Sequence, residues 1–300
     1  MYVILGATGH IGSVIANTLL ARGEKVRAVG RDAGRLSKFS SKGAEAFTAN
    51  VTDASALTRA FEGARAAFLM VPPNMTSPDY RADQEKMSEA IAAAAGRSGL
   101  QYAVNLSSFG AQTPAGTGPI AGLHYAEQEL NRIGNLHVLH LRAGYFMENE
   151  LAGIGLIQNM GMAGSTIKAD LKLPMIATRD IGAYAAERLL KLDFSGKTTR
   201  ELLGERDLTM NEMTSIIGRG IGKPDLRYMQ LSYDQVEKVL RQMGVAEKTA
   251  HLFLEMFQGI NGGIVAAVEP RTAENTTPTS FERFVQDVFV PAYKGQAASA

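Results

Sequence analysis

The chain opens on an apolar run, Tyr2-Val3-Ile4-Leu5, which breaks at Gly6 and gives way to apolar positions at helical spacing over residues 11–22. Four successive β-branched, aromatic or aliphatic side chains predict a strand buried on both faces, as in a parallel sheet. The same alternation continues through the first half of the chain. Strands are expected at residues 26–29, 44–48, 66–71, 102–106 and 137–141, and helices at 54–61, 80–98 and 123–133. Asp53 and Asp79 stand where a side-chain oxygen would accept from first-turn amides. Regular alternation of strand and helix predicts right-handed crossovers. The expected fold class is therefore α/β: a doubly wound parallel Rossmann sheet with a smaller, mainly helical C-terminal substrate-binding part.

Beyond Gly144 the pattern changes to helices separated by Gly-, Pro- and Thr-rich loops, with a helix expected over 180–190 and one further edge strand over 200–203. Thr209-x-x-Glu212 and Ser232-x-x-Gln235 match the capping box, in which two side chains satisfy each other's backbone donors at a helix start. The spacing divides the chain into a nucleotide-binding domain, about 1–150 plus about 175–204, and a substrate-binding domain, about 151–174 and 205–294. A flexible tail is expected over 295–300.

Between the first strand and the first helix lies GATGHIG, with Gly6, Gly9 and Gly12 recurring every third residue. A tight turn, a backbone that can approach phosphates and a closely packed helix start are what a dinucleotide pyrophosphate requires. Gly6, Thr8, Gly9, His10, Ile11 and Gly12 are therefore candidate cofactor contacts. The second strand ends in Gly30-Arg31, where a carboxylate would bind the ribose of NAD and an arginine would accept a 2′-phosphate. Arg31, with Arg35 or Lys38 adding charge, predicts NADP(H), with NADPH preferred over NADH. Asp32 beside it weakens that preference. Ligands of open α/β sheets collect over the carboxyl ends of the strands, so Asn50, Val71, Pro72, Ser107, Arg142, Gly144 and Tyr145 join the candidate cofactor set.

Composition narrows the chemistry. Thirty-one lysines and arginines against 30 aspartates and glutamates leave no cationic field, and no basic stripe interleaved with aromatics is present, so direct nucleic-acid binding is not expected. The absence of cysteine excludes disulfides, thiolate catalysis and Cys-bound metal, and fits a reducing cytoplasm. His137 and His140 share a strand at an odd offset, which sends them to opposite faces and argues against a shared metal. No charged leader precedes the first strand and no run of eighteen apolar residues follows it, so neither a secretion signal nor a membrane span is expected.

GATGHIG, the strand-end Arg31, the stretch EQELNRIG at 127–134 and HLRAGYFMEN at 140–149 together resemble the NmrA-like group of atypical short-chain dehydrogenases/reductases. The resemblance extends to ELLG at 201–204 and PTSFERF at 278–284. One departure is Ala143, where relatives carry proline. The group implies two kinds of function: NADPH-dependent reduction of quinones, dyes and related compounds, or sensing of the NADPH/NADP ratio by a catalytically silent regulator acting through a protein partner.

Standard short-chain dehydrogenases use a serine, a tyrosine and a lysine four residues after the tyrosine. This chain offers Ser107 and Tyr125 as candidate catalytic residues, but Glu129 occupies the lysine position, and a carboxylate there disfavours the phenolate. A quinone or conjugated electrophile takes hydride directly and is protonated readily, so positioning supplies most of the catalysis. Phe146, expected beside Tyr145 at the nicotinamide, joins Met147, Asn149 and His124 as candidate pocket residues. The function expected is an NADPH-dependent oxidoreductase acting on a small electron-poor acceptor such as a quinone, without metal. A protein partner or a homodimer is left open.

Overall fold

The computed structural model describes residues 1–295, so the expected tail lies, beyond Gly295, outside the described residues. Strands and helices alternate from the first residues: β1 (Tyr2–Leu5), α1 (His10–Ala21), β2 (Val26–Gly30), α2 (Ala33–Ser40), β3 (Glu45–Thr48), α3 (Ala54–Phe61), β4 (Ala66–Leu69), α4 (Tyr80–Arg97), β5 (Tyr102–Ser108), α5 (Ile120–Asn131) and β6 (His137–Ala143). The chain then forms β7 (Tyr145–Phe146), a 3₁₀ segment (Met147–Gly153), α6 (Ile154–Met160), β8 (Ala163–Ser165) and β9 (Leu173–Ile176). It returns through α7 (Thr178–Lys191) and β10 (Lys197–Leu202). The remainder is β11 (Asp207–Leu208), α8 (Met210–Gly220), β12 (Tyr228–Gln230), α9 (Tyr233–Gln242), α10 (Glu247–Asn261), α11 (Phe281–Phe284), a π-helical turn (Val285–Phe289) and α12 (Val290–Tyr293).

Seven strands form one parallel sheet in the order β10-β6-β5-β4-β1-β2-β3. Alternate side chains of β1 explain its unbroken apolar run. Tyr2 and Ile4 enter the core shared with Ile15 and Leu19 of α1 and Ile181 and Leu189 of α7, whereas Val3 and Leu5 enter the core shared with Leu57, Ile91 and Leu130 on the other face. Strand order reverses between β1 and β4, which opens a crevice over the carboxyl ends of those two strands. Gly6 and Val71 follow those strands, so the glycine turn lies at the mouth of the crevice.

A third core gathers Phe109, Met147, Leu173, Met175, Met213, Ile217, Phe281, Phe284 and Phe289. Around it lie the helices after α7 together with two small sheets, β11-β9-β7 and β12-β8, that the hydropathy pattern does not predict. Strands of two to four residues are too short to display a period of two. The edge strand expected at 200–203 begins at Lys197 and pairs with β6. The helix expected from 123 begins at Ile120, because Pro119 stands ready at its N-cap. Among the described residues no helix is long and apolar enough to cross a membrane, and no cluster of His, Asp and Glu could hold a metal.

Candidate active site

The start of α1 is built to receive an anion. Gly6 adopts φ +64°, and a Cβ on Gly12 would lie 2.3 Å from the Gly6 carbonyl oxygen, so the turn and helix approach too closely for any side chain there. Gly9 is different: a Cβ on it would meet only the Gly6 oxygen, at 3.4 Å, leaving the far side open. As N-cap of α1 it supplies no side-chain acceptor, and no acidic residue occupies the first turn. By contrast Asp32, Asp53 and Asp79 accept from the first-turn amides of α2, α3 and α4. The first-turn donors and the positive end of the α1 dipole are therefore left for a ligand. Thr8 and His10 border this opening with accessible surface, whereas the Ile11 side chain turns into the core.

Two arginines flank the cradle. Arg35 donates through Nη2 to the Thr8 carbonyl at 3.1 Å, tying α2 to the glycine turn. Arg31 is exposed and has no ion-pair or hydrogen-bond partner among the described residues. Asp32, which counted against NADP(H) in the sequence, is committed as the cap of α2, accepting from the Arg35 amide at 3.1 Å. The local charge facing outward at the end of β2 is therefore that of Arg31. A 2′-phosphate and a pyrophosphate both fit this donor set, so the residues present suit a dinucleotide phosphate.

Along the other strand ends, Val71 and Pro72 keep accessible surface, and the Asn50 side-chain oxygen accepts from the Thr52 amide at 3.1 Å. Ser107 does not meet Tyr125. Its hydroxyl donates to Glu127 at 2.6 Å, and Arg142 grips the same carboxylate through Nε at 3.0 Å and Nη2 at 2.6 Å. Glu127 is 2% exposed, so this is a buried ion pair with a hydroxyl attached. The Glu127 bond pushes the Arg142 pKa up and occupies its Nε and Nη2, which places Arg142 as a brace between α5 and β6. Ser107 likewise has its proton committed to the carboxylate on α5.

The Tyr125 hydroxyl lies on the solvent side of α4 and α5, donating to Glu89 at 2.9 Å. That bond, followed by burial and the nearby carboxylates including Glu129, pushes its pKa to about 12. The structure thus separates the two candidate catalytic residues, because Tyr125 and Glu127, two positions apart on α5, face opposite ways. Glu129 pairs with Arg132 at the C-cap of the same helix. His124 reaches the loop after β5, where Nδ1 bonds the Ala111 carbonyl at 2.8 Å, a contact that fixes the proton on Nδ1 and leaves Nε2 as the acceptor of the neutral ring.

The segment after β6 bridges the two halves. Gly144 is confined, since a Cβ would lie 2.5 Å from the Pro174 oxygen. Tyr145 packs against the third core and Phe146 against the core of α1 and α7, so the pair faces opposite sides of β7. Met147 is 1% exposed and fills core, which corrects its expected place at the pocket edge. Asn149 is exposed. The sequence pattern missed the two carboxylates here. Glu148 accepts from the Thr178 amide at 3.0 and 3.1 Å and from its hydroxyl at 2.5 Å, capping α7 from thirty residues away. Glu150 sits among Tyr145, Asn149 and Tyr228 with its pKa raised to about 7, by desolvation first. Only the acidic spacing around Asn149 could have signalled either role.

Residues 2–284 match the NmrA-like family. The chain belongs to that family. A curated relative of this NmrA-like protein, the (4-alkanoyl-5-oxo-2,5-dihydrofuran-3-yl)methyl phosphate reductase of Streptomyces griseus, is 28% identical over 276 residues, covering 92% of this chain and 93% of the relative. The NAD(P)H azoreductase of Xenophilus azovorans is 24% identical and covers 86% of each chain. Among solved structures, the NADPH-dependent quinone oxidoreductase of Escherichia coli in complex with NADPH superposes with a TM-score of 0.82 at 21% identity, over 96% of this chain and 100% of that one. At that identity the superposition speaks for the fold.

Proposed function

We propose that this NmrA-like protein is an NADPH-dependent oxidoreductase that reduces a small, flat, electron-poor acceptor such as a quinone or a conjugated enone. The observation that carries the reading is the uncapped, acid-free start of α1 beneath an open glycine turn, with Arg31 and Arg35 beside it. Ile11 and Gly12 amides, with the backbone of Thr8 and His10, hold the pyrophosphate, and Arg31 selects the 2′-phosphate. Asn50, Val71, Pro72 and Gly144 border the remainder of the cofactor, which supplies the hydride when bound. The reductase names of the relatives support this assignment, and the furan-ring substrate named for the Streptomyces enzyme carries a carbon–carbon double bond conjugated with two carbonyls.

The chain's own part is positioning. Glu127 and Arg142 stiffen the floor formed by β5, β6 and α5, and Glu148 fixes the segment after Gly144 against α7. Residues about 151–174 and 205–294 cover the acceptor and exclude water from it. His124 and Asn149 border the acceptor side. The working substrate is a small molecule, and the cysteine-free composition suits a reducing cytoplasm.

The test is to follow loss of nicotinamide absorbance on mixing the protein with NADPH and a panel of quinones, enones and azo dyes, with NADH alongside. NADPH should be consumed at least about tenfold more efficiently than NADH, and Arg31→Ala should erase that preference by weakening NADPH, the loss of a charge-assisted contact being worth about 1.5–3 kcal/mol. Tight NADPH binding with no turnover on any acceptor would defeat the enzyme reading in favour of a redox sensor.

A further inference from the structure

Helix α10 ends at Asn261, and Gly262-Gly263, the second at φ +77°, turns the chain into a segment without regular secondary structure. Its course is fixed from outside. The Ile264 and Val265 amides donate back to the Gly259 carbonyl at 2.8 and 3.0 Å, and the Val268 and Glu269 amides donate to buried Glu201. Between these anchorages Val265, Ala266 and Ala267 stand opposite residues of β9 and β11 and help to enclose a cavity of about 310 Å³. Ile264 and Val268, which do not line it, are 48% and 63% exposed. Phe109, Leu173, Leu203, Ile260 and Val265 give the cavity buried apolar walls, joined by Pro174. A space of this size lies at the lower end of the range of small-molecule sites.

Four charged residues complete the lining, and three of them are committed. Arg271 donates through Nη1 to the Gly204 carbonyl at 2.5 Å and through Nη2 to the Leu203 carbonyl at 3.1 Å, and it pairs with Asp207. Glu269 accepts from the Glu201 amide at 3.1 Å and lies 3.8 Å from Arg200. Lys172 is the fourth. It is exposed, and among the described residues it has no hydrogen-bond or ion-pair partner for its ammonium. The cavity therefore offers apolar walls and one unspent positive charge. A compact apolar molecule with a single negative charge matches both features. A dianion would bring its second charge against Asp207 and Glu269, which like-charge repulsion disfavours, and a neutral molecule would gain nothing from Lys172.

We propose that this cavity is a second binding site, for a compact amphipathic carboxylate whose apolar body fills the cavity and whose carboxylate pairs with Lys172. It is distinct from the cofactor crevice, since no residue of the glycine turn, β1, β4 or α2 lines it. Gly144 lies behind its wall, where a Cβ would meet the Pro174 oxygen, and the Phe109 amide donates to the Ala143 carbonyl at 3.0 Å. A ligand here rests against the ends of β5 and β6 without taking the place of a dinucleotide. Burial of the apolar body supplies most of the affinity, because an ion pair at an exposed mouth is screened and adds modestly. The site stands on the cavity and its free ammonium and does not require the reductase reading.

The probe that tests it is 2-naphthoate, with 2-naphthylmethanol as its neutral counterpart. The chain has no tryptophan, so naphthyl fluorescence anisotropy reads binding without a competing indole. The acid should bind about fivefold more tightly than the alcohol. Lys172→Gln should remove that advantage and Lys172→Glu should reverse it, while the alcohol binds both variants as it binds wild type. Ala267→Phe, which puts a ring into the cavity, should weaken both probes by more than about tenfold. Lys172→Gln changes only an exposed side chain, so its result stands even where Ala267→Phe does not fold. Saturating NADP should leave the affinity for 2-naphthoate unchanged. The assignment is overturned by absence of binding up to about 1 mM, by equal affinity for acid and alcohol in wild type, by an acid indifferent to Lys172→Gln, or by displacement of the acid with NADP. None of these readouts depends on turnover, so failure of the reductase reading would leave them as they are.

Discussion

His140 illustrates how burial outweighs neighbouring charge in this protein. Its ring is 2% exposed, with Nδ1 3.1 Å from the Asn105 amide and Nε2 3.0 Å from the Asn131 carbonyl, a pattern that suits the neutral imidazole. Desolvation lowers its pKa to about 4, although Glu127 pulls the other way. Between about 4 and its unperturbed 6.5 the folded chain thus binds fewer protons than the unfolded chain, so stability rises with pH through this window and is lost as pH falls. Urea unfolding at about pH 4.5 and about pH 7.5 should show wild type losing about 2 kcal/mol more than His140→Gln over that interval. Equal losses would mean that the buried ring is protonated in the fold. The sequence carries the odd offset of His137 and His140 and nothing of this environment, because Asn105 and Asn131 come from a different strand and a helix. Glu148 and Glu150 were opaque for the same reason. Two carboxylates two positions apart look alike until α7 is seen to lie against one, while desolvation raises the pKa of the other.

At the scale of elements, the ends of helices carried much of what the sequence disclosed. Asp53 and Asp79 cap α3 and α4 as their positions predict, and both capping boxes close at Thr209 with Glu212 and at Ser232 with Gln235. These motifs are legible because cap and partner lie three residues apart. The cap of α7 was illegible, since its acceptor, Glu148, is thirty positions upstream. The glycine turn combines both cases: Gly6 and Gly12 could be read from spacing, whereas the empty cap of α1 gains meaning only beside the filled caps of α2, α3 and α4. Gly9→Asp turns this contrast into a measurement. The backbone of Gly9 is extended and its Cβ space is open, so aspartate fits, accepts from first-turn amides and places a negative charge where phosphates would lie. The apo-protein should gain about 0.5–1 kcal/mol of stability while NADPH affinity falls by more than about a hundredfold. Unchanged affinity by calorimetry would move the phosphate site away from α1.

The whole molecule is held together by a chain that leaves the sheet after β6, returns for α7 and β10, and leaves again. The returning elements fasten the last third of the sequence. Glu201 on β10, fully buried, accepts from the Val268 and Glu269 amides at 2.8 and 2.7 Å, and Asp180 in the first turn of α7 accepts from the Thr279 amide at 2.9 Å and its hydroxyl at 2.6 Å. Arg179 adds bonds to Thr279 and Asp287. These partners stand 67 to 108 residues apart, beyond the reach of any periodicity, which is why hydropathy gave the parallel sheet and only a general helical character for the rest. Helix α9 makes the contrast plain, for it contributes no fully buried residue, whereas the segment from 265 to 289 is anchored at both ends. Asp180→Asn keeps the size of the side chain but removes one acceptor from a buried pair of donors, and should cost about 1–3 kcal/mol. Because the loss is local, amide exchange should accelerate over residues 268–287 and change little in β1 and β4 at the sheet's centre. A uniform rise across both regions would show instead that the last third and the sheet open as one unit. Closure over an acceptor would then require the whole fold to breathe, not this segment alone.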